Sequence, residues 1–430
     1  MNQALFHYIA ACPTAYHAVA YSAQLLQAAG YQHLPEGQLW DLQPGQGYYV
    51  TRNRSSLIAF RIPTGDLHSF QMTAAHTDSP CFKIKENPEL PGSHYVQLST
   101  EGYGGMIPDS WMDRPLSVAG RVTVRTPQGL AQHLVDLQEP CALIPHVAIH
   151  MDRKKDGGTE GYNMAVDLLP LWGQTGKSRS LRSRLAEQLT LPEEDILTTD
   201  LYLYNPQPGV SWGNFLSAPR LDDLQCAFSA LTALLQAKPS ATSLQVCCLF
   251  DNEEVGSQTK QGAASTFLMD VLERICLGLG QTRQQLLTAL AHSLLVSCDN
   301  AHGLHPNHPE YADKNHTVCL NGGVVIKYNA NQRYTSDAVS AGLFQLICQK
   351  AGVPVQHYAN RADIVGGSTL GSIANTQVSV NTVDIGLAQL AMHSAYETAG
   401  SEDTAYMVQA LTTFYESTFT AAEDGSYQLN

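Results

Sequence analysis

The stretch Val246-Cys-Cys-Leu-Phe-Asp-Asn-Glu-Glu-Val-Gly-Ser257 joins an apolar segment to a cluster of acidic residues. Leu244 to Phe250 has the length and composition of a buried strand, and the carboxylates Asp251, Glu253 and Glu254 follow it directly. In an open α/β sheet, ligands bind outside the carboxyl ends of the strands. The stretch therefore predicts an α/β fold with a polar site at this strand end.

The adjacent residues Glu253 and Glu254 point their side chains in different directions. Such a pair allows one carboxylate to bind a metal ion while the other transfers protons. The same acids also suit a solvated turn before a helix, and this segment alone does not decide between the two interpretations. Gly256 permits a tight turn, and a helix is predicted from Gln258 to Leu272, extending as far as Leu277.

The composition predicts a globular protein of two or three domains. Of its 430 residues, 44% are hydrophobic, and a net charge of −14 argues against nonspecific binding to nucleic acid. The ten cysteines include no C-x-x-C pair, and there is neither a signal peptide nor an apolar run long enough to span a bilayer. We therefore expect a cytoplasmic protein with reduced thiols and without nucleic-acid or membrane partners.

The pattern of predicted elements changes twice along the chain. Residues 1–89 and 206–430 alternate between helices and strands, whereas residues 90–205 contain short strands separated by Gly- and Pro-containing turns. This change predicts a smaller β-rich domain inserted into a discontinuous α/β domain. The insertion also holds a polar, glycine-rich loop, Lys154 to Tyr162, which is longer than a compact domain requires.

Metal-binding residue types follow other predicted strands and connections. His76 and Asp78 come after one strand, and because they are two apart they share a side, so Asp78 can orient the imidazole or bind metal itself. Five residues together offer a mixed set of nitrogen and oxygen ligands: His76, Asp222, Glu254, Asp299 and His393. This set is typical of a two-metal hydrolase, preferably a zinc enzyme, with one carboxylate bridging ions roughly 3.5 to 4 Å apart.

A glycine-rich segment near the C-terminus does not change this interpretation. Gly366-Gly-Ser-Thr-Leu-Gly371 lacks the ending of a Walker motif and the spacing of a dinucleotide fingerprint, so nucleotide binding is excluded.

Six segments resemble the aspartyl aminopeptidases, in order and over nearly the whole chain. They are His76-Thr-Asp-Ser-Pro-Cys81, Pro219-Arg-Leu-Asp222, Phe250-Asp-Asn-Glu-Glu-Val-Gly-Ser257, Asn329-Ala-Asn-Gln-Arg-Tyr334, Gly366-Gly-Ser-Thr369 and Ala391-Met-His-Ser394. The resemblance implies a dizinc aminopeptidase catalytic domain, formed by residues 1–89 and 206–430, with the smaller β-rich domain serving dimerisation. It further implies that dimers assemble into a dodecamer. The implied activity is removal of N-terminal residues, preferably Asp or Glu, from peptides by attack of a metal-activated water.

The same resemblance implies the ligand set. His76, Asp222 and Asp299 would hold one Zn²⁺ ion, while Asp222, Glu254 and His393 would hold the other, with Asp222 as the bridge. Two ions per subunit are expected, and Co²⁺ or Mn²⁺ can substitute.

Further roles carried over from the family concern catalysis and substrate binding. Glu253 would be the general base that takes a proton from the attacking water and passes it to the leaving amine, and Asp78 would orient the first histidine. His150 matches a histidine that reaches a neighbouring active site, and His305 matches one near the substrate. Lys327 matches a lysine near the substrate.

Selection of an acidic substrate by an acidic protein requires a local cation. Because salt screens charges beyond roughly 8 to 10 Å, the net charge of −14 matters little at the site itself. Lys327 is the first candidate for this cation, with a solvated strand end as the alternative. Arg333 is the second, with an internal structural pair as its alternative.

Two positions depart from the family pattern. Asp223 stands where Asn is usual, which adds an acid beside the bridging ligand, and Tyr396 stands where another residue is usual.

Three other functions remain open. A broad leucine-type aminopeptidase is the nearest alternative. A dizinc carboxypeptidase- or deacylase-like amidohydrolase would accept N-blocked substrates. A noncatalytic assembly protein would keep only structural metals, and the presence of Glu253 argues against it.

Overall fold

The computed structural model describes residues 1–151 and 161–430. Within these ranges the chain forms nine α-helices: α1 Asn2–Ala11, α2 Ala15–Ala28, α3 Leu181–Leu189, α4 Leu221–Gln236, α5 Phe267–Gly278, α6 Arg283–Ala291, α7 Ala338–Ala351, α8 Leu370–Ala374 and α9 Asp403–Tyr415. The same ranges contain 22 strands: β1 Gln32–His33, β2 Gly47–Arg52, β3 Ser56–Arg61, β4 Ser69–His76, β5 Cys81–Pro91, β6 Tyr95–Tyr103, β7 Ser117–Thr126, β8 Gly129–Asp136, β9 Leu171–Gln174, β10 Ile196–Tyr204, β11 Val210–Trp212, β12 Phe215–Ala218, β13 Ser243–Phe250, β14 Leu294–Cys298, β15 Ala301–His302, β16 Val324–Tyr328, β17 Val355–Ala359, β18 Asn381–Gly386, β19 Ala388–Leu390, β20 Glu397–Gly400, β21 Phe419–Glu423 and β22 Ser426–Leu429.

A nine-stranded sheet forms the centre of the molecule, in the order β1-β2-β3-β13-β4-β14-β18-β16-β17. Four neighbouring strands, β13, β4, β14 and β18, run parallel. Phe250 at the end of β13 pairs with His76 at the end of β4, so the polar residues after both strands lie at one edge. The predicted α/β class and the placement of polar residues at strand ends are thus confirmed.

Helices cover both faces of this sheet, which explains the continuous apolar run of β13. All eight of its residues are buried. Cys247 and Leu249 face the cluster that contains α1, α2, α4, α7 and α9, whereas Val246 and Cys248 face the cluster on the opposite side, with α5 and α6. A strand buried on both faces has no polar alternation, and its cysteines occupy apolar positions.

A six-stranded antiparallel sheet, β8-β7-β10-β5-β6-β9, packs around a hydrophobic cluster of its own. The predicted boundary at residue 90 falls inside β5, because Cys81–Pro91 pairs with β6 and β10 of this sheet. Sheet pairing therefore begins earlier than the sequence pattern indicated. Of the predicted loop Lys154 to Tyr162, all but the last two residues lie outside the described residues.

A five-stranded sheet, β11-β12-β20-β19-β15, lies beside the central sheet. Its strands β19 and β20 are joined by residues 391–396, which include His393. This connection thus brings a predicted ligand toward the central edge.

The helix predicted after the acidic turn starts later than expected, at Phe267 instead of Gln258. Ser257, with φ +60°, turns the chain away from a helical path. The Asn252 side-chain oxygen then accepts hydrogen bonds from Thr259 Oγ1 at 2.8 Å and Gln261 Nε2 at 2.7 Å. Residues 258–266 form turns around Asn252. The hydrogen bonds to its side chain override the helix propensity of this segment.

Two findings bear on the expected environment of the protein. All ten cysteine thiols, each within the described ranges, are free. Searched over the same ranges, the chain shows no helix with the length and apolar character needed to cross a bilayer.

Candidate metal centre

The structure brings the five predicted ligands together at the edge of the central sheet. Their donor atoms form overlapping groups, and within each group these atoms lie within 4.8 Å of one another. The groups are His76, Asp222, Asp223 and Asp299; His76, Glu253 and Glu254; and Asp222, Glu254 and His393.

Asp222 lies between the two histidines. Its Oδ1 is 3.4 Å from His76 Nε2, and its Oδ2 is 3.3 Å from His393 Nε2. Glu254 Oε2 lies 3.5 Å from the same nitrogen of His393. One carboxylate that presents its two oxygens to two different imidazoles has the arrangement of a bridging ligand.

Main-chain oxygens fix both imidazole rings. His76 Nδ1 donates to the Asp78 carbonyl oxygen at 3.0 Å, and His393 Nδ1 donates to the Gly105 carbonyl oxygen at 2.6 Å. These bonds fix the orientation of each ring, with Nε2 directed at Asp222. The Asp78 carboxylate is farther from the His76 ring, with Oδ1 3.5 Å from Nδ1.

The Asp78 carboxylate instead holds the acidic turn. Its Oδ1 accepts from the Glu253 N–H and its Oδ2 from the Glu254 N–H, both at 3.1 Å. The Tyr103 hydroxyl, at the end of β6, donates to Oδ2 at 2.7 Å. Asp78 therefore contacts His76 and both glutamates, whereas the two-residue spacing predicts only the contact with His76.

The donor set fits divalent metal ions. Asp222 Oδ1, Asp223 Oδ1 and Glu254 Oε1 are buried and have no hydrogen-bond partner among the described residues. Burial of unpaired carboxylates is costly, by several kcal/mol per ion, unless a cation compensates them. Imidazole nitrogens together with carboxylate oxygens suit zinc.

The acidic residues of the site differ in pKa. Desolvation raises the pKa of Glu253 to about 8, and His76 opposes this increase. Desolvation likewise holds the pKa of Glu254 well above its usual range. Burial acts to raise the pKa of Asp222, but its interactions with the neighbouring imidazoles of His393 and His76 dominate and place that pKa below the usual range. The Asp222 carboxylate is thus ionised, while Glu253 can accept a proton near neutral pH.

A cavity of about 290 Å³ opens over the five predicted ligands. Besides them it is lined by Glu253, His302, Lys327, Tyr334, Tyr358 and Thr369, among others. Neither His150 nor His305 is among the described residues that line it, and both side chains are exposed. His302, three residues after Asp299, lines the cavity and follows the same strand end that signalled Asp299.

Lys327 is buried, with 2% exposure, so the alternative of a solvated strand end is wrong. Its Nζ donates to the carbonyl oxygens of Asp299 at 2.8 Å and Asn300 at 3.2 Å and lies 5.1 Å from the centre of the Tyr334 ring. Arg333 donates to the Gly366 carbonyl oxygen at 2.9 Å, which is a structural contact.

The sequence pattern missed the contribution of the six-stranded sheet to the site. Gly104, with φ +72°, follows β6, and a Cβ there would lie 3.1 Å from Glu254 Cβ. The next residue, Gly105, binds the His393 ring. Only the pair of adjacent glycines could have indicated such a close approach.

Solved structures share this fold. Ape4 in a cryo-EM complex with Nbr1 has a TM-score of 0.92 at 35% identity, covering 96% of this chain and 85% of that chain. Chaetomium thermophilum mApe1 has a TM-score of 0.86 at 31% identity, and the S. cerevisiae mApe1 dodecamer 0.83 at 26%; each covers 96% of both chains. The fold and the site together define a metal-dependent aminopeptidase.

Sequence relatives identify the family. A "Probable M18 family aminopeptidase 2" from Clostridium novyi is 42% identical over 424 residues, 96% of this chain and 97% of the relative. A relative with the same name from Stutzerimonas stutzeri is 42% identical over 428 residues, which cover 97% of this chain and 98% of the relative. The family model "Aminopeptidase I zinc metalloprotease (M18)" matches residues 8–415. The chain belongs to this M18 family, which confirms the resemblance found in the six segments, and it is a zinc metallo-aminopeptidase.

Proposed function

We propose that this aminopeptidase uses two zinc ions per subunit and prefers peptides with an N-terminal Asp or Glu. The observation that supports a dinuclear centre is the position of Asp222, whose two oxygens face His76 Nε2 at 3.4 Å and His393 Nε2 at 3.3 Å. A single four-coordinate site would leave this second oxygen without a function.

His76, Asp222 and Asp299 would hold one ion, and Asp222, Glu254 and His393 the other. When bound, zinc supplies a Lewis acid that lowers the pKa of water and stabilises the oxyanion of the tetrahedral intermediate.

Glu253 would act as the general base. It lines the cavity, and its main chain is fixed by the Asp78 carboxylate. With a pKa of about 8, raised by burial, its carboxylate can take a proton from the attacking water and then give it to the nitrogen of the leaving amine.

Lys327 would read the acidic side chain of the substrate. It is a buried ammonium group on the cavity wall, and its Nζ is 3.7 Å from Asp299 Oδ2, so it lies beside the metal ligands. A carboxylate entering a low-dielectric cavity gains most from a charge-assisted contact of this kind.

The test combines metal analysis with a substrate panel. We expect two zinc ions per active chain, loss of activity on prolonged chelation, and recovery with Zn²⁺, Co²⁺ or Mn²⁺. On aminoacyl anilides we expect Asp and Glu to exceed Leu and Ala, and N-acetylated substrates to be resistant. One tightly bound ion per active chain would overturn the dinuclear centre, a preference for Leu would favour the leucine-type alternative, and cleavage of N-acetylated substrates would favour the deacylase alternative.

We also propose a cytoplasmic homo-oligomer. One similar structure is a dodecamer of S. cerevisiae mApe1. In this chain the exposed residues Val147, Ile149 and Met151, at 57%, 70% and 82% exposure, flank His150. Apolar side chains of this size favour burial against a second subunit.

A further inference from the structure

Glu397 is a buried carboxylate that connects two segments of the metal centre. It begins β20 and is 1% exposed. Its Oε1 accepts from the His393 N–H at 2.7 Å, and its Oε2 accepts from the Asp222 N–H at 3.1 Å. Both residues that it contacts are proposed zinc ligands, and they are 171 positions apart in the chain.

The backbone around His393 needs such an anchor. His393 has φ +68° and Ala391 has φ +57°, a left-handed conformation that residues other than glycine rarely adopt. With Glu397 bound to the N–H of His393 and Gly105 bound to its ring, the histidine is fixed at both its main chain and its side chain.

The contact with Asp222 is equally specific. Asp222 lies at the start of α4 with non-helical φ −83° and ψ 106°, where main-chain N–H groups have no partner within the helix. Glu397 Oε2 satisfies this donor and thereby holds the start of α4 at a fixed position relative to the His393 turn.

From these contacts we infer that Glu397 is a positioning residue for the ion held by Asp222, Glu254 and His393. This inference rests on the proposed function, because it takes those residues as ligands. Glu397 sets the spacing between two ligands without binding the ion itself. Groups that orient metal ligands typically contribute a factor of roughly 10 to 100 to metal affinity.

Asp403 supplies a matched control. It is also fully buried, with 0% exposure, and it also accepts two main-chain N–H groups, from Asn321 at 2.7 Å and Gly323 at 3.1 Å. Neither of its partners is a proposed ligand. Asp403→Asn therefore reports what a buried carboxylate with two backbone bonds contributes to stability alone.

The experiment compares Glu397→Gln with Asp403→Asn in the full chain. Zinc per chain is measured after dialysis against a graded chelator, and the visible spectrum is recorded after loading with Co²⁺. For Glu397→Gln we expect the ion held by His393 to be lost at roughly 10- to 100-fold lower chelator concentration, together with a changed Co²⁺ spectrum. The affinity for the other ion should fall less, because that ion shares Asp222 but not His393. For Asp403→Asn we expect lower thermal stability with both ions retained at the wild-type affinity.

Two further variants make every outcome decisive. Glu397→Asp keeps the carboxyl group but is one methylene shorter, so it should hold one N–H and give an intermediate affinity. It also replaces Glu397→Gln if that variant does not fold. His393→Ala tests the proposed function, because retention of both ions there would overturn the ligand assignment. Loss of one ion from His393→Ala would support the ligand assignment. If both Glu397 variants then bind two ions with wild-type affinity, or lose both ions equally, the inference about Glu397 is overturned while the proposed function stands.

Discussion

Glu253 and Glu254 are neighbours in sequence, but their side chains have different surroundings. Glu254 Oε2 lies 3.5 Å from His393 Nε2, whereas Glu253 belongs to a potential ligand group only with His76 and Glu254. We expect Glu253→Gln to keep both ions and to lower kcat by about 10² to 10⁴, because a general base is lost. Glu254→Gln should lower zinc affinity. Metal analysis and kcat of both variants check this, and loss of metal from Glu253→Gln but not from Glu254→Gln would exchange the two roles.

Removal of the Lys327 ammonium group tests whether this single charge sets the substrate specificity. A buried, charge-assisted contact contributes about 1.5 to 3 kcal/mol, equivalent to a preference of roughly 10- to 150-fold. Lys327→Met should lower kcat/KM for Asp and Glu substrates by about this factor and affect Leu or Ala substrates much less.

The control for Lys327→Met is zinc content, since the Lys327 ammonium lies 3.7 Å from Asp299 Oδ2. Lys83→Met, which removes a lysine that contacts Asp200 in the six-stranded sheet, should leave the substrate preference unchanged. An equal loss on acidic and neutral substrates would show that Lys327 supports the site in general and does not read the substrate charge.

Residue types at strand ends predicted which side chains lie together at the site, because a carboxylate or imidazole that follows a buried strand has a restricted location. The same reasoning could not find Glu397 or Gly105. Glu397 starts a short strand of another sheet, and Gly105 acts through its carbonyl oxygen, which every residue possesses. Main-chain contacts between distant segments leave no signature in residue identity.

At the level of elements, the sequence predicts which segments form strands but not the order of these strands in the central sheet. β13 lies between β3 and β4, although about 170 residues separate β4 from β13 along the chain. The apolar run of β13 shows that both faces are covered, but any buried strand could be its neighbour. For the same reason the start of the six-stranded sheet at Cys81 was not evident, since β5 follows β4 after only four residues.

Helix α2 carries a histidine that should make stability depend on pH. Burial lowers the pKa of His17 to about 4, with Asp136 opposing and Arg220 adding to the decrease. Because this pKa lies below the unfolded value of about 6.5, the neutral imidazole stabilises the fold above pH 6.5, and that stability is lost as the pH falls toward 4.

We therefore expect wild-type protein to lose about 2 kcal/mol more than His17→Gln between pH 7 and pH 5. Urea unfolding at both values measures the difference. His7→Gln is the matched control, because this histidine is exposed on α1. If His17→Gln and His7→Gln show the same dependence on pH as the wild type, His17 does not titrate in the folded state as inferred.

At the scale of the whole molecule, the candidate metal centre is assembled from three sheets. The central sheet supplies His76 and Asp299, the six-stranded sheet supplies Tyr103, and the five-stranded sheet supplies Glu397. A displacement of the six-stranded sheet would therefore move the acidic turn through Asp78. Association through that sheet would restrict such movement and couple subunit assembly to the geometry of the site.

Subunit assembly would give His150 a role in catalysis. The exposed segment Val147 to Met151 contains His150, which does not line the described cavity of its own subunit. If His150 completes a neighbour's site, His150→Ala should be a folded, fully assembled oligomer with low kcat, whereas His94→Ala, an exposed histidine of the same sheet region, should keep wild-type activity. Light scattering gives the assembly state of each variant.

Mixed oligomers separate a role in a neighbouring site from a role in the same subunit. Glu253→Gln subunits lack the base but carry His150, and His150→Ala subunits carry the base. Co-assembled after dissociation, the two weakly active variants should regain activity, because a Glu253→Gln subunit can present its His150 to a site with an intact Glu253. Mixing without dissociation is the control and should regain none. An active monomer by light scattering, or no recovery in verified mixed oligomers, would contradict the proposed contribution of His150 across subunits.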